Sequence, residues 1–237
     1  MRPAVICHMM SSVDGRLINE RWTPPFDGKP QSALVAEYAK AGRTLDTDAW
    51  MFGLKTAQAF LPYKFVAKKR NSNMERKPFH ANRTSERLFI VSDPEGTIFY
   101  NQSKVRGDDI LTVLGEAVPD DYLRHLQKAG ISYIFAGKDG FDLPHTLEIM
   151  GSEFGIKAIS LQGGGIINGA FLKAGLIDEI SIAIYPGIDG LSGVPSIFES
   201  VGVPDDLPAQ GQSLELKSVK QLADGVVWLR YVIHGNK

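Results

Sequence analysis

A single cysteine, Cys7, among 237 residues leaves this chain no internal disulfide and no cysteine-based structural zinc site. Cys7 lies in an apolar strand pattern, where a buried and inert thiol is expected. No stretch reaches the roughly twenty consecutive apolar residues that a membrane-spanning helix requires. The N-terminus, MRPAVICHMMSSVDG, has too short an apolar run and no small-residue cleavage pattern for a secretory signal, so the chain reads as cytoplasmic. Net charge is also lacking: a formal value of −1 argues against a nucleic-acid partner, which would call for a basic excess. Neither G-x-S-x-G nor H-E-x-x-H occurs, and the five histidines are scattered. A hydrolase nucleophile and a metal centre are therefore not expected.

What is present is an ordinary globular composition, 43% hydrophobic and 22% charged, long enough for a substantial core. Strand patterns at Ala4–Met10, Asp48–Gly53, Leu88–Ser92, Ile110–Leu114, Tyr133–Ala136 and Ala158–Leu161 alternate with helix patterns. The helices are expected at Ser32–Arg43, with Ser32 as a cap, at Thr56–Phe60, at Pro119–Ala129 and at Pro144–Gly151. Two alternating segments at the C-terminus, Ser213–Gln221 and Val226–Ile233, flank Ala223-Asp224-Gly225 and read as a hairpin. That order predicts an α/β fold: a mostly parallel sheet between helices, closed by an antiparallel edge, in a single domain over residues 1–237. Between Lys64 and Arg87 a run rich in Lys and Arg reads as a solvated loop, or else as a basic rim for an anionic substrate.

The segment KAISLQGGGIINGAFLKAGLIDEISIAIYP, from Lys157 to Pro186, organises the rest. A short strand breaks at Gly163, Gly164 and Gly165; a helical pattern follows, and Ile180, Ile182 and Ile184 alternate as the next strand. A glycine turn entering a helix N-terminus offers bare N–H groups to a phosphate. A tight turn needs glycine with or without a ligand, so this pattern alone leaves both readings open. A standard Rossmann fingerprint does not fit: Asn168 stands at its third small position, and the next strand ends in Tyr185-Pro186 without an acidic residue. In an open α/β sheet ligands gather at the carboxyl ends of the strands. The loops there carry Ser11, Ser12, Asp14, Thr56, Ser92 and the glycines, which suits a bound cofactor that supplies the reactive atom.

Three pieces in order, SSVDGR, DAWMFGLKTAQAFLP and LQGGGIINGAFLKAGLIDEISIAIYPGIDG, resemble the reductase domain of riboflavin biosynthesis, a family with a dihydrofolate-reductase-like three-layer α/β/α fold. No deaminase zinc motif accompanies them, so the chain resembles a stand-alone reductase. The resemblance implies NADPH-dependent hydride transfer to C1′ of a ribosylamino-pyrimidine 5′-phosphate, giving the ribitylamino product. It implies that Gly163, Gly164, Gly165, Ile166 and Ile167 hold the cofactor with Gly53 and Thr56, that Ser92 lies near the adenosine 2′-phosphate, and that Trp22 borders the nicotinamide. Ser12, Thr23, Arg43 and Gln162 are then the substrate-binding candidates, and a homodimer is implied.

Asp14 is the catalytic candidate, to orient substrate or relay a proton; for the relay, a dry cleft would have to raise its pKa. Its other reading is a plain Asp-Gly turn. Two positions depart from the family pattern: Gln162 replaces a usual Glu, and Phe60 stands where Asp is frequent. These leave two alternatives open: a reductase of a pterin or other heterocycle, or a nucleotide-binding protein without catalysis.

Overall fold

The structure, a computed structural model, describes residues 1–67 and 73–235. In chain order the elements are β1 (Ala4–Ser11), α1 (Gln31–Arg43), β2 (Ala49–Gly53), α2 (Leu54–Ala57), β3 (Leu88–Ser92), β4 (Lys104–Val105) and β5 (Asp108–Leu114). They continue with α3 (Asp120–Ala129), β6 (Ser132–Phe135), α4 (Leu143–Glu153), β7 (Ala158–Leu161), α5 (Gly165–Lys173), β8 (Glu179–Ile184), β9 (Gln212–Gln221) and β10 (Val227–Gly235). The expected α/β alternation with an antiparallel C-terminal hairpin is the observed one. None of the helices among the described residues is long and apolar enough to cross a membrane.

The chain divides into two compact units, Met1–Pro3 with Thr47–Ile159, and Ala4–Asp46 with Ser160–Lys237. In the first unit β2, β3, β5 and β6 run parallel, and β4 turns back antiparallel on β5. Its core gathers Phe52, Phe89, Val91, Leu114, Tyr122, Leu126 and Tyr133. Each large side chain taken out of water here contributes roughly 1.5–3 kcal/mol before entropy is counted. Asp93, fully buried after β3, accepts hydrogen bonds from the Thr97 and Ile98 amides, the Thr97 hydroxyl and the Tyr122 hydroxyl. A buried carboxylate persists only with such company. Asp120 does similar work, accepting from the Asn73 and Met74 amides and from Arg76.

Part of the basic run is thereby structural. Arg76 also donates to the carbonyls of Met74, Glu116 and Val118, and Arg83 donates to those of Ser85 and Phe154. Residues 68–72 of that run lie outside the described residues.

In the second unit β1 and β8 are parallel, and β8, β10 and β9 are successively antiparallel. Cys7 on β1 is free and fully buried, and burial pushes its thiol pKa up, as an inert core thiol requires. Helix α1 starts one residue earlier than expected. Pro30, with extended φ and ψ, is its cap, and Ser32 falls inside the first turn with no capping bond.

Helix α5 is held by close approach. Any side chain on Gly165 would overlap the Ser196 carbonyl, and any on Gly169 the Glu199 carbonyl. The Glu199 amide donates to Gly165 O at 3.0 Å, and the Asn168 amide group donates to Ile197 O at 2.9 Å. Gly169→Ala improves helix propensity yet is expected to destabilise the protein by roughly 1–3 kcal/mol through this clash. Urea unfolding checks it: a midpoint unchanged or raised would mean the crossing segment is not pressed against α5.

Candidate functional site

The loop after β1 is a closed hydrogen-bonded turn. Ser12, almost fully buried, donates through its hydroxyl to Asp14 Oδ1 at 2.7 Å and accepts from the Arg16 amide at 2.9 Å. Asp14 then reaches across to the segment after β8. Its Oδ1 accepts from the Asp189 amide at 3.1 Å and its Oδ2 from the Gly190 amide at 2.8 Å. The Val13 amide donates to Gly187 O, and the Thr23 amide donates to Ile188 O. Thr23 also accepts from the Ile188 amide through Oγ1, while Arg21 forks onto both oxygens of Asp189 at 2.8 and 3.1 Å. Residues 187–190 thus bind the loops carrying Asp14, Trp22 and Thr23 into one scaffold.

This geometry corrects one expectation. The Ser12 hydroxyl, followed by the Gly190 and Asp189 amides, holds the Asp14 carboxyl well below the usual carboxylate range. The reason is general: donors aimed at the charged form stabilise it. Asp14 is an anion at neutral pH and a poor carrier of protons there, so the relay reading is dropped and an orienting one remains.

Beside this scaffold Trp22 and Tyr185 are both buried, with ring centroids 4.9 Å apart. Trp22 Nε1 and Tyr185 Oη are buried polar atoms with no hydrogen-bond partner among the described residues. Burial, then the nearby Asp27 charge, raises the Tyr185 pKa, so the phenol keeps its proton and its capacity to donate. Unpaired buried donors are costly and call for an explanation.

A second cluster surrounds Gln162, at the carboxyl end of β7. Tyr38, from α1, stacks on His8 with centroids 4.3 Å apart. The Tyr38 hydroxyl lies 3.0 Å from the His8 carbonyl and 3.2 Å from Gln162 Oε1, and Gln162 Nε2 donates to Ser160 Oγ at 3.1 Å. His8 is fully buried and neutral, its pKa lowered to about 4 by desolvation. Its tautomer follows from its neighbours. Nε2 faces the Tyr38 carbonyl at 3.1 Å and must carry the hydrogen, which leaves Nδ1 to accept from the Ser181 hydroxyl at 2.9 Å. Trp228 Nε1 donates to the same Ser181 oxygen.

The glycine turn comes next. Gly163 takes φ of 82°, a region that favours glycine, and the Gly163–Gly164 peptide is cis. A Cβ on Gly163 would sit 2.8 Å from Met9 Cε. Gly163 is therefore required by its positive φ and Gly165 by the Ser196 carbonyl beside it, whether or not a ligand is present. The cradle rests instead on Gly164, the cap of α5, which no side chain caps, and on the first N–H groups of the helix, which lack intrahelical acceptors. Ile166 is 54% exposed on the first turn while Ile167 is buried. A bare helix start flanked by an exposed apolar side chain fits a dinucleotide, with phosphate on the amides and an apolar surface beside it.

Of the remaining candidates, Arg43 is exposed at the end of α1, with no hydrogen bond or ion pair among the described residues. In the other unit Gly53 and Ser92 are register partners at the carboxyl ends of β2 and β3, and Thr56 lies in α2. Phe60 packs against Phe52 and Phe89, centroids 5.5 and 5.4 Å away, under the Arg106 guanidinium. Sequence reasoning missed Tyr38, Tyr185 and Asp189, whose roles come from partners far along the chain.

The Asp14 network predicts acid sensitivity with a defined sign. A carboxyl with a depressed folded pKa contributes stability above its unfolded value near 3.9, and that contribution fades as pH falls towards the folded one. Asp14→Asn is expected to lower the Tm by a constant amount from pH 5 to 8, with the gap to wild type closing below pH 4. A gap that instead opened near neutrality would mean a raised pKa.

The family model of the RibD C-terminal domain matches residues 3–228. The chain is 26% identical to the 2,5-diamino-6-ribosylamino-4(3H)-pyrimidinone 5′-phosphate reductase of Methanothermobacter thermautotrophicus, across 99% of this chain and 100% of that protein. A pyrimidine reductase-like protein from Corynebacterium diphtheriae superposes with a TM-score of 0.66 at 16% identity, covering 99% of this chain and 93% of the other. A diaminohydroxyphosphoribosylaminopyrimidine deaminase/5-amino-6-(5-phosphoribosylamino)uracil reductase from Thermotoga maritima gives a TM-score of 0.53 at 14% identity, covering 98% and 56%. With a family match over nearly its whole length, the chain belongs to the RibD C-terminal domain family.

Proposed function

We propose that this protein is an NADPH-dependent reductase that converts a ribosylamino-pyrimidine 5′-phosphate to its ribitylamino product. The observation that carries the reading is the uncapped α5 N-terminus at Gly164, on the turn after Gln162, in a chain matched to the family from residue 3 to 228. The named activity of the M. thermautotrophicus relative is of this kind. NADPH, when bound, would supply a hydride for reduction of the substrate's C1′ in its open-chain form, with one proton taken up.

The chain's own residues would bind and orient. Gly164, Gly165, Ile166 and Ile167 offer amides to the cofactor's phosphates. Trp22 Nε1 and Tyr185 Oη, buried without partners, are donors suited to a nicotinamide or substrate carbonyl. Ser12 and Asp14 fix the loop against residues 187–190, and with Thr23 they set where the substrate's sugar can lie. Arg43 is a cation available to the substrate phosphate. The two compact units are read as one reductase domain acting in the cytoplasm.

A homodimer through the C-terminal hairpin is part of this reading. Edge strand β9 exposes Leu214, Leu216 and Val219, each more than half accessible, and cross-strand partners Ile233, Tyr231 and Leu229 extend the apolar face. Bare apolar edges of this kind are normally covered.

NADPH oxidation followed at 340 nm with the phosphorylated substrate tests the reading. Gly164→Asp places a carboxylate at the helix start and is expected to weaken NADPH binding at least about a hundredfold with the fold intact by circular dichroism. Unchanged affinity would remove the phosphate from Gly164.

A further inference from the structure

We infer that residues 24–30 form a hinged strap, latched to the turn between β9 and β10 by Lys29 and Asp224, which opens to uncover the buried donors of Trp22 and Tyr185. The inference goes beyond the reductase reading and stands on contacts within the second unit alone. It also gives that reading a gate: a ligand that takes a hydrogen bond from either donor has to pass the strap first.

The loop between β1 and α1 is closed at its base. Gln31 Nε2 donates to Asn19 O at 2.8 Å, which staples the two ends of the excursion together in the manner of an Ω-loop. Its first limb is firmly held, since the Thr23 amide donates to Ile188 O and Arg21 forks onto Asp189. Beyond Thr23 the ties become few. Pro24, Pro25 and Pro30 have no N–H to give, and the Gly28 amide spends its own on Pro25 O, within the segment. Among the described residues, the hydrogen bond that joins residues 24–29 to another element is that of Lys29 Nζ to Asp224 Oδ1. Lys29 also pairs with Asp27 of the strap itself, at 3.3 Å. These pairs lie at the surface, where ion pairs hold weakly and salt screens them.

What the strap covers is unsatisfied. Pro25 is buried, whereas Phe26 at the tip is fully exposed. Asp27 lies near enough to the Tyr185 phenol for its charge to act there. Leu222 and Val226, which flank the turn carrying Asp224, pack with Trp22 and Tyr185. Trp22 Nε1 and Tyr185 Oη are thus enclosed between strap and turn without an acceptor among the described residues. A buried donor without a partner raises the energy of the closed form, and opening to water or to a ligand relieves it. Weak surface fastening over such an interior marks a segment that opens locally, at far lower cost than global unfolding.

The Trp22 indole N–H reports opening directly, through its exchange with solvent in two-dimensional proton–nitrogen spectra of the protein without ligand. Its signal is assigned by its loss in Trp22→Phe or, should that variant fail to fold, by its through-space contact with Tyr185. The Trp228 indole N–H, bonded to Ser181, is the reference for global unfolding. In the wild type the Trp22 proton is expected to exchange faster than that of Trp228 and more slowly than a free indole. Lys29→Met and Asp224→Asn should each speed it roughly two- to fivefold and leave Trp228 unchanged. Asn accepts the positive φ of 58° at position 224, so the second variant removes the charge without straining the turn. Lys29→Arg, which keeps the pair, should behave as wild type. Salt at about 0.5 M should speed Trp22 exchange in the wild type and have no further effect in Lys29→Met. Exchange of Trp22 no faster than that of Trp228 would mean that the strap opens only with the whole protein, and would overturn the inference. Rates unchanged by both latch variants, or a wild-type rate equal to that of free indole, would overturn it equally. None of these outcomes involves NADPH or substrate, so the reductase reading stands or falls separately, on its own assay.

Discussion

The segment Ser196–Glu199 crosses α5 with main chain against main chain, and much of the second unit follows from that contact. Carbonyl groups occupy the space that side chains on Gly165 and Gly169 would need. Only glycine permits such an approach, and the helix gives up propensity at two positions to allow it. In return its first turn is anchored by the Glu199 amide on Gly165 O and the Asn168 side chain on Ile197 O. The helix N-terminus is thus fixed in position without being capped. A capping Ser or Asp would satisfy the same N–H groups and leave nothing for an anion.

That distinction changes what the triple glycine means. Read from the sequence, three glycines in a row suggest a surface cleared for a diphosphate. In the structure Gly163 answers to its positive φ and Gly165 to the Ser196 carbonyl, so two of the three are explained by the fold alone. The ligand-facing role proposed for the turn therefore rests on Gly164 and the amides that follow it. The functional and bland explanations of a glycine-rich turn are therefore not rivals here. They apply to different residues of the same turn.

Legibility in the sequence tracked the distance between partners. β3 and β7 have the bounds their apolar runs gave, and Gly175 takes the positive φ of 64° expected just after a helix. β4 escaped notice because it is only two residues long; it is joined to β5 by the turn Arg106–Gly107, both at positive φ, of 53° and 95°. Asp14 was singled out as a candidate, but the depression of its pKa is not readable from the sequence. Its donors from residues 189 and 190 lie about 175 residues away in sequence, and an Asp-Gly pair gives no hint of them. Tyr38 looked like any aromatic on a helix, since its contact with Gln162 spans 124 residues. Local propensity reads elements, while a site is assembled from partners that only the fold brings together.

The two departures from the family pattern have separate physical settings, which weighs against reading them together as decay of an active site. Phe60 is absorbed into an aromatic cluster with Phe52 and Phe89, its ring beneath the Arg106 guanidinium. Its identity follows from the core of the first unit. Gln162 sits in a polar network: Trp228 Nε1 donates to Ser181, Ser181 to His8, and His8 to the Tyr38 carbonyl, while the Tyr38 hydroxyl is shared between the His8 carbonyl and Gln162 Oε1. Every group in that chain is neutral, with His8 lowered to a pKa of about 4 by burial. A glutamate would bring a negative charge to its end with no cation among these partners, whereas the amide keeps the network neutral. Here Gln162 is the amide that completes an ordered, uncharged network, and it retains one donor and one acceptor beyond it.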